Sequence, residues 1–301
     1  MRAGVLPVPH VAVLAQRGLA RLGRYFVLIK SPQTGLLLVT AAAGYISGCC
    51  LNITAGSLAA LLGSLFLSIS GSTVLNMVYD RDIDARMART SRRPLPAGEI
   101  TSTEAWILGG ILVAAGLAWS AWIDLRYAIV VLAGIFFDVV IYTMLLKRRT
   151  AYSILVGGLA GGMPALAGRV LATGQADLVG WLLMLGVLLW IPTHIMTFSI
   201  KHQVDYARAG VPTFPSLYGE AVTRRIIAGS TLLAAGTLIA GAWLIGLSNG
   251  LMATLFAAGL LLCAVVFIGL AYPGPRLTFA LYKSASIYML MVMGLLIAGG
   301  L

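Results

Sequence analysis

Asn76, Asp80 and Asp84 recur at every fourth position in the stretch LNMVYDRDIDARMARTSRRPLPAG, Leu75 to Gly98. At about 100° per residue, positions i, i+4 and i+8 drift only about 80° around a helix, so two carboxylates and an amide share one face. Asp82 points to roughly the opposite side. Oxygen ligands stacked one turn apart suit a hard cation such as Mg2+. Arg89, Arg92 and Arg93 follow before Pro94 and Pro96 stop the helix. Guanidinium groups there suit the oxygens of a diphosphate or a propionate. Acid, metal and arginine where an apolar segment ends predict an enzyme acting on a lipid diphosphate at a membrane surface.

A second polar cluster, WIPTHIMTFSIKHQVDYARAGVPTFPSLYG, carries His194, Lys201, His202 and Asp205. Asp205 is a candidate to complete the metal shell and Lys201 to hold a phosphate as a point charge. The plainer reading of these two is an interfacial i, i+4 ion pair. His194 lies inside an apolar span two residues after Pro192, where an imidazole needs a partner. A general base, a haem-facing group and a helix-to-helix hydrogen bond all fit it. Lys147, Arg148 and Arg149 form a third cluster, read either as a topology anchor or as substrate-binding cations. The glycines that follow, Gly157, Gly158, Gly161 and Gly162, have small-xxx-small spacing and predict close helix packing; no GK[ST] accompanies them, so they form no phosphate loop. Asp138 is an isolated intramembrane acid, with Tyr142 one turn later as its expected hydrogen-bond partner.

The elements that must position these groups are transmembrane helices. Of the 301 residues 59% are apolar and 10% charged, and the mean hydropathy is +0.94, which excludes an ordinary soluble domain. Runs of about 20 apolar residues, each long enough for a hydrocarbon core roughly 30 Å thick, recur after Lys30. Backbone groups in lipid must pair within their own segment, so these runs are helices, and the alternation of a membrane barrel is absent. Nine spans are expected: Gln33 to Leu51, Ala55 to Val78, Ala105 to Ile123, Tyr127 to Leu146, Ser153 to Leu171, Leu178 to Ile200, Ile226 to Leu247, Leu251 to Leu270 and Phe279 to Gly299. They form a single transmembrane domain over residues 31–301. Residues 1–30, with Arg2, Arg17, Arg21, Arg24 and Lys30 and no acid, read as an interfacial amphipathic segment rather than a signal peptide.

The formal net charge of +11 reports topology rather than nucleic-acid binding. All of the 21 Lys and Arg except Arg126 and Arg169 fall on one face of this arrangement, which the positive-inside rule makes cytoplasmic. The N-terminus and the mouth holding Asp80, Asp84 and Asp205 are therefore expected inside the cell membrane, with two internal halves facing that one mouth. Cys49, Cys50 and Cys263 lack metal spacing and read as small buried hydrophobes or idle thiols.

At these residues the sequence resembles the UbiA superfamily of intramembrane prenyltransferases, and within it the branch that prenylates haem. Four segments carry the resemblance: NMVYDRDIDARMARTSRRPLPAG from Asn76, YTMLLKRRT from Tyr142, GGLAGGMPALAG from Gly157 and DYARAGVPTFP from Asp205. It implies an all-α bundle of nine helices around a central cavity open to the cytosol and to lipid. By the same resemblance Mg2+ on Asn76, Asp80, Asp84 and Asp205 holds the diphosphate of an allylic isoprenoid, farnesyl or longer. Arg89, Arg92, Arg93, Lys147, Arg148 and Arg149 stabilise the leaving pyrophosphate, and the acceptor is a vinyl group of haem B. Three departures bear on the acceptor more than on the donor. The usual PPHFW reads PTHIM from Pro192, the usual GW is Gly168-Arg169, and Asp138 stands where a tyrosine is common. The alternatives are a quinone precursor, phenolic acid or glycerol phosphate lipid as acceptor, or a transporter with polar groups on broken helices. The oligomeric state is not legible.

Overall fold

A computed structural model gives the fold, and it describes residues 23–29, 31–48 and 54–300. The regular structure described is entirely helical. The elements are α1 (Ser31–Ile46), α2 (Ala55–Tyr79), α3 (Arg81–Arg86), α4 (Ser102–Ile123), α5 (Leu125–Leu146), α6 (Ser153–Thr173), α7 (Leu178–Lys201), α8 (Gln203–Ala209), α9 (Phe214–Ile245), α10 (Asn249–Ala271) and α11 (Pro275–Gly300). Eight of them are long and apolar enough to cross a membrane, and the apolar stretch of α1, Gln33–Ile46, falls short of that length. The expected first span, Gln33 to Leu51, thus has a shorter described helix, and its expected end lies outside the described residues. So do Cys49, Cys50 and most of the N-terminal segment. Of that segment, residues 23–28 are helical, and Leu28 is buried against Val74 and Met77 of α2.

The spans begin and end where local chemistry satisfies orphan backbone groups. Thr101 and Glu104 form a reciprocal cap at the start of α4, Asp124 accepts from Tyr127 N at 2.8 Å before α5, and Asp177 accepts from Gly180 N at 2.8 Å before α7. Helix α9 begins twelve residues ahead of the expected span because Thr213, Ser216 and Pro215 start a helical turn beyond the apolar run. Gly219, at φ 78°, kinks it, a backbone state that costs glycine nothing.

The spans close a ring. Helix α2 packs chiefly on α4, α4 on α5, α5 on α6, α6 on α7 and α7 on α9, while α10 and α11 complete the circuit back to α1. Helix α1 presses against α6 so closely that a Cβ on Gly168 would stand 2.0 Å from Ala41 O, and one on Gly44 2.1 Å from Ala165 O. The expected small-residue packing is present in the glycine run too, where a Cβ on Gly157 would stand 2.5 Å from the Tyr142 ring. One buried cluster joins Leu183, Val187, Ile227, Leu238, Met289 and Met293 across α7, α9 and α11. The outward surface keeps large apolar side chains such as Trp122, Leu260 and Ile287 exposed, as a lipid-facing belt requires. The chain is a multi-pass membrane protein.

A candidate diphosphate and metal site

Helix α2 ends at Tyr79 and α3 restarts at Arg81, yet the backbone stays close to helical across the break. Asp80 N donates to Asn76 O at 2.9 Å and Asp84 N to Asp80 O at 2.8 Å. The predicted i, i+4, i+8 stack therefore survives, with Asp80 5% and Asp84 6% exposed. The helix stops at Arg86, ahead of the prolines, because Met87 turns to extended backbone. Arg89, Arg92 and Arg93 consequently lie on a looped segment. Arg93 Nη1 donates to Asp84 Oδ2 at 2.7 Å, Arg89 lies over the Phe198 ring at 4.9 Å, and Arg92 is exposed.

The second half of α5, Phe136–Leu146, is wound more widely than an α-helix; Lys147 N reaches back five residues to Tyr142 O at 2.8 Å. Such windings recur at functional sites. Here it carries Asp138 and Tyr142 and delivers Lys147 and Arg148 to the acidic stack. Lys147 Nζ donates to Asp80 Oδ2. Burial opposes the lysine charge, but Tyr142 and Asp80 outweigh it, so its pKa is raised. Arg148 grips Asp82 through two hydrogen bonds of 2.9 and 2.6 Å, donates to Tyr79 O and covers the Tyr79 ring at 4.7 Å. Its hydrogen bonds hold the Asp82 carboxyl below the usual range against burial. Arg149 is exposed.

Asp138 accepts from Asn76 Nδ2 at 2.8 Å. The amide of the acidic motif thus bonds the carboxylate for which the sequence offered Tyr142. That contact turns Asn76 Oδ1 away, and among the described residues Asn76 Oδ1 and Asp80 Oδ1 are buried acceptors with no hydrogen-bond donor. Both residues line a cavity of about 350 Å3 together with Asp138, Tyr142, Lys147 and His194. Its walls include Leu37, Ile69, Ile135 and Ile191.

The second cluster stands at the same end of the bundle. Helices α3 and α8 pack through Ile83, Met87, Ala209 and Val211, as one shared mouth requires. Asp205 Oδ2 lies 3.8 Å from His202 Nδ1, and the His202 ring lies 4.3 Å from that of Phe198. Burial, then Arg89 and Lys201, push the His202 pKa down. Among the described residues Lys201 does not form the ion pair with Asp205 that its spacing allowed; its ammonium sits over Phe279 at 5.2 Å. His194 lies between the rings of Trp190 and Tyr282, at 5.0 and 4.9 Å. Among the described residues no three carboxylates, imidazoles or thiols form a ready metal cluster. Asp80, Asp84 and Asp205 thus share one mouth without closing on a point.

The donor set nevertheless fits a hard cation. Two unpartnered oxygens beside further carboxylates match Mg2+, which takes one or two carboxylates and completes its shell with phosphate oxygens and water. Sequence reasoning missed Ser68, Ser72 and Gln33 in the cavity lining. The Ser68, Ser72, Asn76, Asp80 progression at every fourth residue would have flagged the first two.

A model of the UbiA prenyltransferase family matches residues 36–287. Over 193 residues the chain is 45% identical to a protoheme IX farnesyltransferase of Thermofilum pendens, covering 64% of this chain and 68% of that one. Over 250 residues it is 37% identical to a protein of the same name from Bartonella henselae, covering 82% and 78%. A solved structure from work on digeranylgeranylglyceryl phosphate synthase superposes with TM-score 0.78 at 21% identity, over 93% of this chain and 99% of that one. A UbiA homologue from Archaeoglobus fulgidus bound to GPP and Mg2+ superposes with TM-score 0.68 at 16% identity, over 91% and 99%. At such identities the structural likeness speaks for the fold.

Proposed function

The chain belongs to the UbiA prenyltransferase family, and from that premise we propose that it transfers a farnesyl group from its diphosphate to a vinyl group of haem B, giving haem O and pyrophosphate. The acceptor follows the names of its relatives in Thermofilum pendens and Bartonella henselae. The observation that carries the chemistry is the pair of unpartnered oxygens, Asn76 Oδ1 and Asp80 Oδ1, in a cavity that also holds Lys147. Residues 31–301 act as one catalytic unit in the cell membrane, with the N-terminus and the basic end toward the cytosol.

Asn76, Asp80, Asp84 and Asp205 would hold Mg2+, which supplies positive charge to the diphosphate oxygens as the leaving group forms. Lys147 and Arg93, now paired with Asp80 and Asp84, add fixed cations at the same place, and Arg89, Arg92 and Arg149 extend that field to the mouth. Charge on the leaving group grows as the carbon–oxygen bond breaks, so preorganised cations act most strongly in the transition state. Arg148 works through Tyr79 and Asp82 and is a positioning residue. The apolar walls keep bulk water from the allylic cation until its terminal carbon bonds the vinyl group. One water then adds its oxygen to the cation left on the acceptor and releases a proton. His194 faces this part of the cavity and bounds the acceptor's position.

The test is pyrophosphate release by the detergent-solubilised protein. Release is expected only with haem B, farnesyl diphosphate and Mg2+ together, and removal of the metal by chelation abolishes it. Metal-independent release at an equal rate would contradict the assigned site.

A further inference from the structure

Among the described residues the charged side chains lining the central cavity are Asp80, Asp138 and Lys147. Asp80 and Lys147 act on the diphosphate, whereas Asp138 has no part in the transfer. It stands within the span formed by α5, where carboxylates are costly and mark functional sites.

Asn76 Nδ2 donates to Asp138 Oδ2 at 2.8 Å. A side-chain amide has a donor end and an acceptor end of nearly equal shape, and turning it over exchanges the two. A carboxylate accepts only, so it takes the NH2 end and leaves the amide oxygen on the other side. Asn76 Oδ1 is accordingly buried without a donor. Lys147 does the complementary thing one turn further along α2. Its Nζ donates to Asp80 Oδ2, and Asp80 Oδ1 is the oxygen left without a donor. Each of the two α2 residues is thus tied at one end by α5 and keeps one oxygen unpartnered.

The wide winding of α5 is what lets both ties come from one helix. At about 100° per residue, two side chains nine positions apart on an α-helix point to opposite sides. Phe136–Leu146 instead closes its hydrogen bonds at i+5, which lowers the turn to roughly 80° per residue. Nine positions then complete about two turns, and Asp138 and Lys147 share a face. Packing on α6 fixes the rotation of that face. A Cβ on Gly134 would stand 3.1 Å from Met163 Cβ, and one on Gly157 2.5 Å from the Tyr142 ring.

We infer that Asp138 is a positioning residue for Asn76: by holding the NH2 group of the amide it fixes the orientation in which the oxygen, rather than the nitrogen, is offered to the cation. The assignment rests on the reading of Asn76 and Asp80 as Mg2+ ligands. With the amide turned over, an N–H group would meet the cation, and the site would lose a ligand atom and gain a repulsive one. The identity of the acceptor does not enter.

Mn2+, followed by its electron paramagnetic resonance signal during titration into the full-length solubilised protein, reads the ligand set without turnover. Orienting partners of metal ligands are worth roughly 10–100-fold in affinity. Asp138→Asn keeps the shape but offers Asn76 a donor as readily as an acceptor, and it is expected to weaken Mn2+ binding by that factor. The exchange Asn76→Asp with Asp138→Asn is expected to bring affinity back close to wild type, because the new amide holds one oxygen of the new carboxylate and leaves the other unpartnered. A role in packing alone would not respond to this exchange. Wild-type affinity in Asp138→Asn, or a double variant as weak as the single one, overturns the assignment. Should Asp138→Asn lower the melting temperature, the double variant, which restores the hydrogen bond, decides by its Mn2+ affinity. A wild type that takes up no Mn2+, or takes it up equally after Asp80→Asn, removes the metal site and this assignment with it. Mn2+ lost on Asp80→Asn but kept on Asp138→Asn removes the positioning role alone.

Discussion

Asp80 has one oxygen on Lys147 and one with no donor, so the same carboxylate anchors a cation of the protein and presents a free ligand atom. Asp80→Asn removes that ligand charge, and turnover is expected to fall by at least about a thousandfold, a loss of about 4 kcal/mol in transition-state stabilisation. Near wild-type rates at saturating Mg2+ would speak against Asp80 as a ligand. The same substitution changes Lys147. Its pKa lies above the ordinary 10.5 because Tyr142 and Asp80 outweigh burial. A raised lysine stabilises the fold fully below the unfolded value and loses that contribution as pH rises through the folded one. Thermal stability of the wild type is therefore expected to hold well into alkaline pH, with the Asp80→Asn variant falling off earlier; identical alkaline limbs would remove the ion pair from the stability account. At this scale the sequence was informative where polar groups stood in apolar runs, and the spacing of Asn76, Asp80 and Asp84 carried directly into geometry. The fate of Lys201 was not legible, since an i, i+4 spacing with Asp205 does not reveal that Phe279, from a span far along the chain, captures the ammonium.

Helices α6 and α7 are tied at their poorly charged end by Arg169, which donates to Asp177 at 2.7 Å and 3.0 Å and to Ser47 O. Burial pushes the Asp177 carboxyl up, but the hydrogen bonds from Arg169 and Gly180 N outweigh it and hold the pKa below 3.8. A depressed carboxyl stabilises above its unfolded pKa and loses that contribution as pH falls through its folded one. Asp177→Ala is expected to cost about 1–3 kcal/mol at neutral pH, from the lost charge-assisted bonds and cap, and to flatten the acid limb of stability. An unchanged acid limb would show the pair to be inert. Packing gives a sharper contrast. Gly168→Ala drives a methyl into Ala41 O, whereas nothing lies within 4 Å of a Cβ at Gly110. The former is expected to lower the melting temperature clearly and Gly110→Ala to leave it equal or higher. Equal effects would contradict the close approach of α1 and α6. Helix identities and most ends followed from apolar runs. The early start of α9 did not, because Glu220, Arg224 and Arg225 give that turn the composition of a loop.

The whole molecule is a ring of helices whose acidic and basic motifs converge at one end because the loops after the second, fourth and sixth expected spans return there. The two halves of the site come from residues more than a hundred positions apart, joined where α3 meets α8. Charge bias along the chain made that convergence legible, since a topology that gathers nearly all Lys and Arg on one face gathers the acidic motifs with them. The shared face of Asp138 and Lys147 was not legible, because it depends on the wide winding of α5. The orientation predicts that a cysteine replacing exposed Arg92 reacts with a membrane-impermeant thiol reagent in inverted vesicles and not in intact cells; the opposite pattern would reverse the topology. The central claim is the transfer itself, and mass spectrometry of the solubilised protein incubated with haem B, Mg2+ and a mixture of farnesyl and geranylgeranyl diphosphates tests it most directly. The account predicts a haem product heavier by one farnesyl group plus one hydroxyl group, and pyrophosphate release with haem left unmodified would contradict it.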